Sequence, residues 1–370
     1  MKILFFISSL SCGGAERATV NLANYWAGQG WRVTVVTLAA NSEVFYKLNP
    51  EVKHIALNLF EASSQPLAAL INNLRRVLAL RRVLRLVQPD VAVSMMSVSN
   101  ILLALAAYGL RCLVTIGSER VHPPQFPLSA IWETLRSFFY GRLDVVVALT
   151  AESATWLNRY TRAAKVVIIP NIATYPLSVQ SPRVTPPVKA GNDRLLLSVG
   201  RLTPQKNFGR LITTFQGLAA VFPNWRLAIL GEGPLRSELA AQIKIAGLVK
   251  RILLPGRVGN IGDWYEAADL YVMTSSYEGF PNALVEAMAY GLPGVSFDCD
   301  TGPRDIIRQE VDGLLVPNGN VVALEEALAR MMSNETLRQQ FAARSIEVRK
   351  RFSIEKITGM WETLFKKIYK

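Results

Sequence analysis

Short apolar runs alternate with stretches of helical apolar spacing along the whole chain. The runs predict strands at 2–8, 32–38, 91–96, 112–116, 144–149 and 166–169 in the first half. In the second half they predict strands at 194–199, 226–230, 252–254, 270–274 and 294–297. Runs that are apolar throughout suit strands buried on both faces, and the helical stretches between them suit right-handed crossovers. The pattern therefore predicts an α/β protein with two doubly wound parallel sheets. Residues 175–192 hold Pro176, Pro182, Pro186 and Pro187 with little periodicity, which reads as a linker. It divides the chain into domains at 1–175 and 190–353. The last helix, 354–370, carries Ile357, Trp361, Leu364 and Ile368 on one stripe and is expected to pack back on the first domain. Two such domains would face a cleft at the carboxyl ends of their strands, where ligands bind in such sheets.

Two apolar segments have competing readings. The start, MKILFFISSLSCGG, imitates a signal peptide, but its apolar run is short and interrupted by Ser8 and Ser9. It reads better as a buried first strand entering a glycine loop. Residues 91–110 carry no charge, yet Ser94, Ser97, Ser99 and Asn100 lie within them. Strand, loop and helix are expected there in place of a membrane span.

Composition narrows the chemistry. Of 370 residues, 41 are Lys or Arg and 28 are Asp or Glu, a net charge of +13. Residues 1–185 hold 18 basic and 9 acidic residues, so the first half is the one expected to meet a polyanion or an anionic membrane. Cys12, Cys112 and Cys299 are far apart and there are only two His, which disfavours a disulfide scaffold or a zinc site.

Four segments could carry chemistry. Gly13-Gly14 follows the first strand and opens a helix, where exposed N–H groups attract an anion such as phosphate. The segment SCGGAE lacks the third glycine of a dinucleotide fingerprint. SVGRLTPQKN places Gly200 at a strand end, then Arg201 and Lys206 around a Thr203-Pro204 turn, two cations suited to a diphosphate. YEGFPNALVEAMAYGLP holds Glu278 before a helix predicted at 283–290 and Glu286 inside it. Asp298-Cys299-Asp300 has the spacing of a metal-binding DxD, although a plain loop after a strand accounts for it better.

Taken in order, Gly13-Gly14, Gly200-Arg201 with Lys206, LPGRV at 254–258 and the two glutamates separated by seven residues resemble the retaining glycosyltransferases of family 4. The resemblance spans essentially the whole chain and is strongest over 194–316. It implies the GT-B fold, with two Rossmann-like domains facing a cleft. It also implies that Arg201 and Lys206 hold the diphosphate of a nucleotide-sugar, that Glu278 contacts the transferred sugar, and that Glu286 binds the ribose. Gly279, Phe280, Pro281, Asn282, Ala283 and Leu284 would offer backbone amides to phosphate and sugar. Gly200 would end the strand beneath them, Arg257 and Val258 would lie against the base, and Gly14 would approach the phosphates from the first domain. No metal or other cofactor is expected. The chain departs from the family where many members carry a His: TIGSERVHPP has Arg120 there and His122 two residues later.

The most basic stretch, residues 70–90, reads as a helix with Arg75, Arg81, Arg82 and Arg85 on one side and Leu80, Leu84, Val77 and Val87 on the other. Guanidiniums pair with phosphates and interleaved aliphatics enter an acyl boundary, so this helix is expected to hold a polyprenyl-diphosphate-linked acceptor at a membrane. With Arg120 and His122 it forms the expected acceptor side. The partners implied are a UDP-sugar, a lipid-linked glycan of bacterial surface polysaccharide or glycoprotein assembly, and the anionic inner face of the cell membrane, with a peripheral cytoplasmic location. A UDP-sugar epimerase of the same fold is the nearest alternative, and would have no use for the basic helix. Nucleic-acid binding is a third reading, disfavoured because 70–90 contains no Phe, Tyr or Trp.

Overall fold

The computed structural model describes residues 1–40, 44–60 and 66–368. It divides into two compact units, Met1–Ile172 with Glu355–Lys370, and Ala173–Ile354.

The first unit is a seven-stranded sheet of β1 (Lys2–Ile7), β2 (Arg32–Thr37), β3 (Lys53–Ala56), β4 (Val91–Met95), β5 (Val114–Ser118), β6 (Val145–Ala148) and β7 (Val166–Ile168). All pairings are parallel, in the order β3-β2-β1-β4-β5-β6-β7. The order reverses between β1 and β4. Alternation along β1 explains the two-sided core: Ile3, Phe5 and Ile7 face one layer, Leu4 and Phe6 the other. The second layer receives Leu80 and Leu84 of the helix Pro66–Val87 and Ile101–Ala104 of the helix Ser97–Ala107.

The helix Ile354–Ile368 belongs to the first layer. Its Ile357, Trp361, Leu364 and Phe365 are buried with Phe5 and Trp26. Trp26 stacks on Trp31 at 5.3 Å and meets Phe365 at 5.4 Å, while its indole N–H donates to Glu362 at 3.1 Å. A large aromatic ring with a polar tip is thus buried without an unmet donor.

The second unit has six parallel strands, β8 (Arg194–Val199), β9 (Trp225–Leu230), β10 (Ile252–Gly256), β11 (Leu270–Met273), β12 (Gly294–Asp298) and β13 (Gly313–Pro317). Their order is β10-β9-β8-β11-β12-β13, with the reversal between β8 and β11. A single cluster including Leu196, Phe215, Leu227, Phe297 and Leu328 fills its main core.

Three expectations need correction. The proline-rich segment is not a free linker, because it packs on the second unit. The Leu177 amide donates to Tyr290 Oη at 2.9 Å, the Gln180 amide to the Gly259 carbonyl at 3.0 Å, and Asn260 and Trp264 both bind Val184. Proline removes donors but leaves carbonyls and neighbouring amides to bond sideways. Strands β3 and β13 were not expected. Both lie at sheet edges: β3, KHIA, is at most half-buried and shows no apolar run, whereas β13, GLLVP, is apolar and mostly buried, so its signal was present in the sequence. The strand expected at 112–116 begins later, at Val114.

Candidate active site

The reversal of strand order in the second unit places the loops after β8 and β11 side by side. That is why Lys206 and Glu278, 72 positions apart, meet in an ion pair between Lys206 Nζ and Glu278 Oε1. Their side chains are 20% and 10% exposed, so this pair is largely withdrawn from water. The loops are also stitched by backbone. Ser276 donates to the Gln205 carbonyl at 2.8 Å, Gln205 Nε2 to the Tyr277 carbonyl at 2.8 Å, and Thr274 Oγ1 to the Lys206 carbonyl at 2.9 Å.

Glycines set the close approach. A Cβ on Gly200 would lie 3.1 Å from Lys206 Cδ and Cε, so the lysine stem rests across the end of β8. Gly231, at φ +138°, lies beneath: a Cβ there would fall 1.9 Å from the Gly200 carbonyl oxygen. The loop after β12 joins from the far side. Thr301 Oγ1 donates to the Glu278 carbonyl, and Gly302, at φ +96°, leaves room for Pro281. Arg201 is exposed at the carboxyl end of β8, the same edge.

The helix expected at 283–290 is Asn282–Ala289, with Pro281 at its N-cap and no capping side chain. A helix start carries the positive end of the helix dipole, which suits an anion. Phe280 and Leu284 have buried side chains, Phe280 in edge contact with Phe352 at 5.5 Å, so only their backbone can serve a ligand. Gly279, Asn282 and Ala283 are half-buried on the same turn. Glu286 is 4% exposed, and Tyr265 Oη donates to its Oε2 at 3.3 Å. Arg257 is exposed and Val258 half-buried just beyond β10, the outermost strand on the other side of β8.

Burial and charge act on the neighbours of Glu278. The Cys299 thiol is pushed up to about 12, first by burial and then by the Glu278 carboxylate. Tyr271 is raised well above its ordinary value by burial, with Tyr265 and Glu278 adding to it. In the DxD triplet, Asp298 is paired with Arg304 at 2.9 Å while Asp300 is exposed. Among the described residues no group of three or more His, Cys, Asp and Glu could hold a metal ion.

In the first unit, Gly14 opens the helix Gly14–Gly28 and is exposed, behind the extended N-cap Gly13. The Glu16 carboxylate folds over Gly13 in the space a Cβ would need. Arg120 and His122 are both 7% exposed beyond β5. His122 Nδ1 contacts Ser153 Oγ at 3.1 Å, within the Thr150 cap of the helix Ala151–Tyr160.

The basic helix is Pro66–Val87. Arg75, Arg82 and Arg85 are exposed, as is a stripe of Leu67, Leu70, Ile71, Leu74 and Leu78. Arg81 departs from the expectation. It is half-buried and donates to the carbonyls of Ala106 and Tyr108 at 2.8 and 2.7 Å. Those carbonyls end the helix Ser97–Ala107, so the guanidinium caps a helix terminus and is not offered to an acceptor. Among the described residues no helix is long and apolar enough to cross a membrane.

Sequence reasoning missed Gln205, Gly231, Tyr265, Thr301 and Gly302. The GEGP turn at 231–234 and the TGP turn at 301–303 carried a signal for the glycines. Tyr265 had none, since it reaches Glu286 from a separate helix, Ile261–Ala267.

Comparison with known proteins settles the family. Residues 13–172 match the glycosyl transferase 4-like domain, and residues 185–348 match glycosyl transferases group 1. The chain belongs to the family 4 glycosyltransferases of the GT-B fold. It is 29% identical, over all of its length and 99% of the relative, to a Campylobacter jejuni enzyme. That enzyme is named GalNAc-alpha-(1->4)-GalNAc-alpha-(1->3)-diNAcBac-PP-undecaprenol alpha-1,4-N-acetyl-D-galactosaminyltransferase. It is 28% identical to the amylovoran biosynthesis glycosyltransferase AmsD of Erwinia amylovora, across 98% of this glycosyltransferase and 99% of AmsD. In fold it is similar to the sucrose-phosphate synthase of Thermosynechococcus elongatus (TM-score 0.83, 18% identity, covering 100% and 99% of the two chains). It is also similar to HepE of Anabaena in complex with UDP (TM-score 0.78, 20% identity, covering 98% and 99%).

Proposed function

We propose that this glycosyltransferase moves a hexose or N-acetylhexosamine from a UDP-sugar, with retention of configuration, to a growing polyprenyl-diphosphate-linked glycan of bacterial surface polysaccharide or glycoprotein assembly. The observation that carries the donor half is the Lys206–Glu278 pair at the strand-order reversal, beside exposed Arg201. As the sugar–oxygen bond breaks, its electron pair stays on the diphosphate, the acceptor hydroxyl oxygen bonds to the anomeric carbon, and the hydroxyl proton passes to the departing diphosphate oxygen. Lys206, held across the end of β8, and Arg201 at the same edge receive the charge on the diphosphate, and cations already in place are how electrostatics lowers a barrier. Donor binding exchanges Glu278 for phosphoryl oxygens at Lys206, and the released carboxylate accepts hydrogen bonds from hydroxyls of the sugar. Glu286 serves the ribose, the amides of 279–284 the phosphates and sugar, and residues 256–258 the base. These cations take the place of a metal, so no cofactor is required. HepE, similar in fold, binds UDP, which supports the choice of nucleotide.

The acceptor half rests on the helix Pro66–Val87 and on the Campylobacter relative, whose substrate is an undecaprenol-diphosphate-linked glycan. In this reading the leucine stripe enters the acyl boundary, Arg75, Arg82 and Arg85 meet phosphate, and the enzyme works peripherally at the cytoplasmic face of the membrane.

The test is a panel of UDP-sugars with polyprenyl-diphosphate-linked acceptors, scored by UDP release. Lys206→Ala and Glu278→Ala are each expected to cut turnover by about 10²–10³-fold with circular dichroism unchanged. Full activity in both would remove the site assignment.

A further inference from the structure

Arg120 is a buried cation whose partners are all neutral. Its Nη1 donates to Asn171 Oδ1 at 2.6 Å, and its Nε and Nη2 both point to Met95 Sδ at 3.3 Å. Met95 is fully buried and Asn171 is 7% exposed. A thioether is a weak acceptor, and these contacts use only part of the five N–H groups that a guanidinium carries. The preceding residue does not neutralise it. The Glu119 carboxyl accepts from Ser97 Oγ at 2.7 Å and from Tyr140 Oη, on another side of β5. Burial alone pushes Arg120 down to about 10, with no acidic group offsetting it.

The other deeply buried arginines differ. Arg136 is paired with Glu133, and Arg338 feels Glu335 and Asp269 while lying over Trp225 at 5.2 Å. A charge withdrawn from water without an opposite charge is costly, and an anion from outside the chain would relieve that cost. Its place supports this. Met95 ends β4, which adjoins β1 at the reversal of strand order, and Gly13-Gly14 follow β1 at the same edge of the sheet. Sheets of this kind take ligands at that crevice.

We propose that Arg120 anchors an oxyanion site on the first unit, binding a phosphoryl oxygen of a substrate diphosphate. The proposal rests on the function proposed above, in which both substrates carry that group: the nucleotide of the donor and the polyprenyl diphosphate of the acceptor. It makes Arg120 a binding residue that brings a permanent charge to that site.

The test uses the full chain and the variants Arg120→Met and Arg120→Lys. Calorimetry would measure UDP and a short-chain polyprenyl diphosphate separately. Arg120→Met is expected to weaken one of them by about 10- to 100-fold, the usual span for a lost charge-assisted hydrogen bond. Arg120→Lys should recover part of the loss. Loss of UDP identifies the donor as the source, and loss of the prenyl ligand identifies the acceptor. The melting temperature of the unliganded Arg120→Met protein should hold or rise, because an uncompensated charge has been removed. A fall in melting temperature with both affinities unchanged would make Arg120 a structural residue and overturn the proposal. If the wild type binds neither ligand, the functional reading fails by itself. Inorganic pyrophosphate then decides the site, offered to Lys206→Ala with and without Arg120→Met. Equal binding overturns it, and loss in the double variant sustains it.

Discussion

Lys206 lies along a strand end because residue 200 has no side chain, and Gly200 lies where it does because residue 231 has none either. The two glycines make different demands. At Gly200 the atoms in the way are the flexible stem of Lys206, which can swing aside. Gly200→Ala should therefore raise the donor KM several-fold while leaving the melting temperature nearly unchanged. At Gly231 the obstacle is backbone, and φ is +138°, a region closed to side-chain-bearing residues. Gly231→Ala should cost about 1–3 kcal/mol of stability, read by chemical denaturation. If Gly231→Ala melted like the wild type, the close approach would be wrong. Both glycines were legible as glycines. Which atom each makes room for was not, because the contact joins residues from different strands.

At the scale of elements, the helix Pro66–Val87 divides its labour along its length. Toward its start the outer stripe is Leu67, Leu70, Ile71, Leu74 and Leu78, and toward its end the exposed positions include Arg82 and Arg85. Periodicity alone puts Arg81 with the other arginines. Only the neighbouring helix, with open carbonyls at 106 and 108, takes it away. Two sets of variants separate the roles. Leu70→Glu, Leu74→Glu and Leu78→Glu together should abolish sedimentation with anionic vesicles with little change in the melting temperature, since these side chains are exposed. Arg75→Glu, Arg82→Glu and Arg85→Glu together should raise the KM for the lipid-linked acceptor. A change confined to the donor KM would contradict the assignment. The missed strand β3 belongs to this scale too. Strand β3 reads KHIA, and a half-buried edge needs no pattern that a search for buried strands would recognise.

At the scale of the whole molecule, the chain leaves its first unit at residue 172 and returns to it at residue 355. The returning helix closes a layer in which Trp361 is 1% exposed and meets Phe365 at 5.9 Å. Trp361→Ala should destabilise the first unit by about 3–5 kcal/mol, the usual cost of emptying an aromatic site. Hydrogen exchange should quicken in β1 and β2 and stay unchanged in β8 and β11. Equal quickening in both units would mean that they do not unfold separately. Apolar runs and helical spacing were enough to announce two parallel sheets, because burial on both faces and crossover length are local properties of a chain. The motifs that mark Lys206, Glu278 and Glu286 as candidates are likewise local, each a few residues long. Which of them touch was decided by strand order, since β8 and β11 become neighbours only when the sheet reverses direction between them. Tertiary structure also decided which charges are spoken for. Arg81 is bound to a helix end and Arg120 is buried without an acid among the described residues, although both are plain arginines in the sequence. Charge is a property of a residue, whereas its compensation is a property of the space around it.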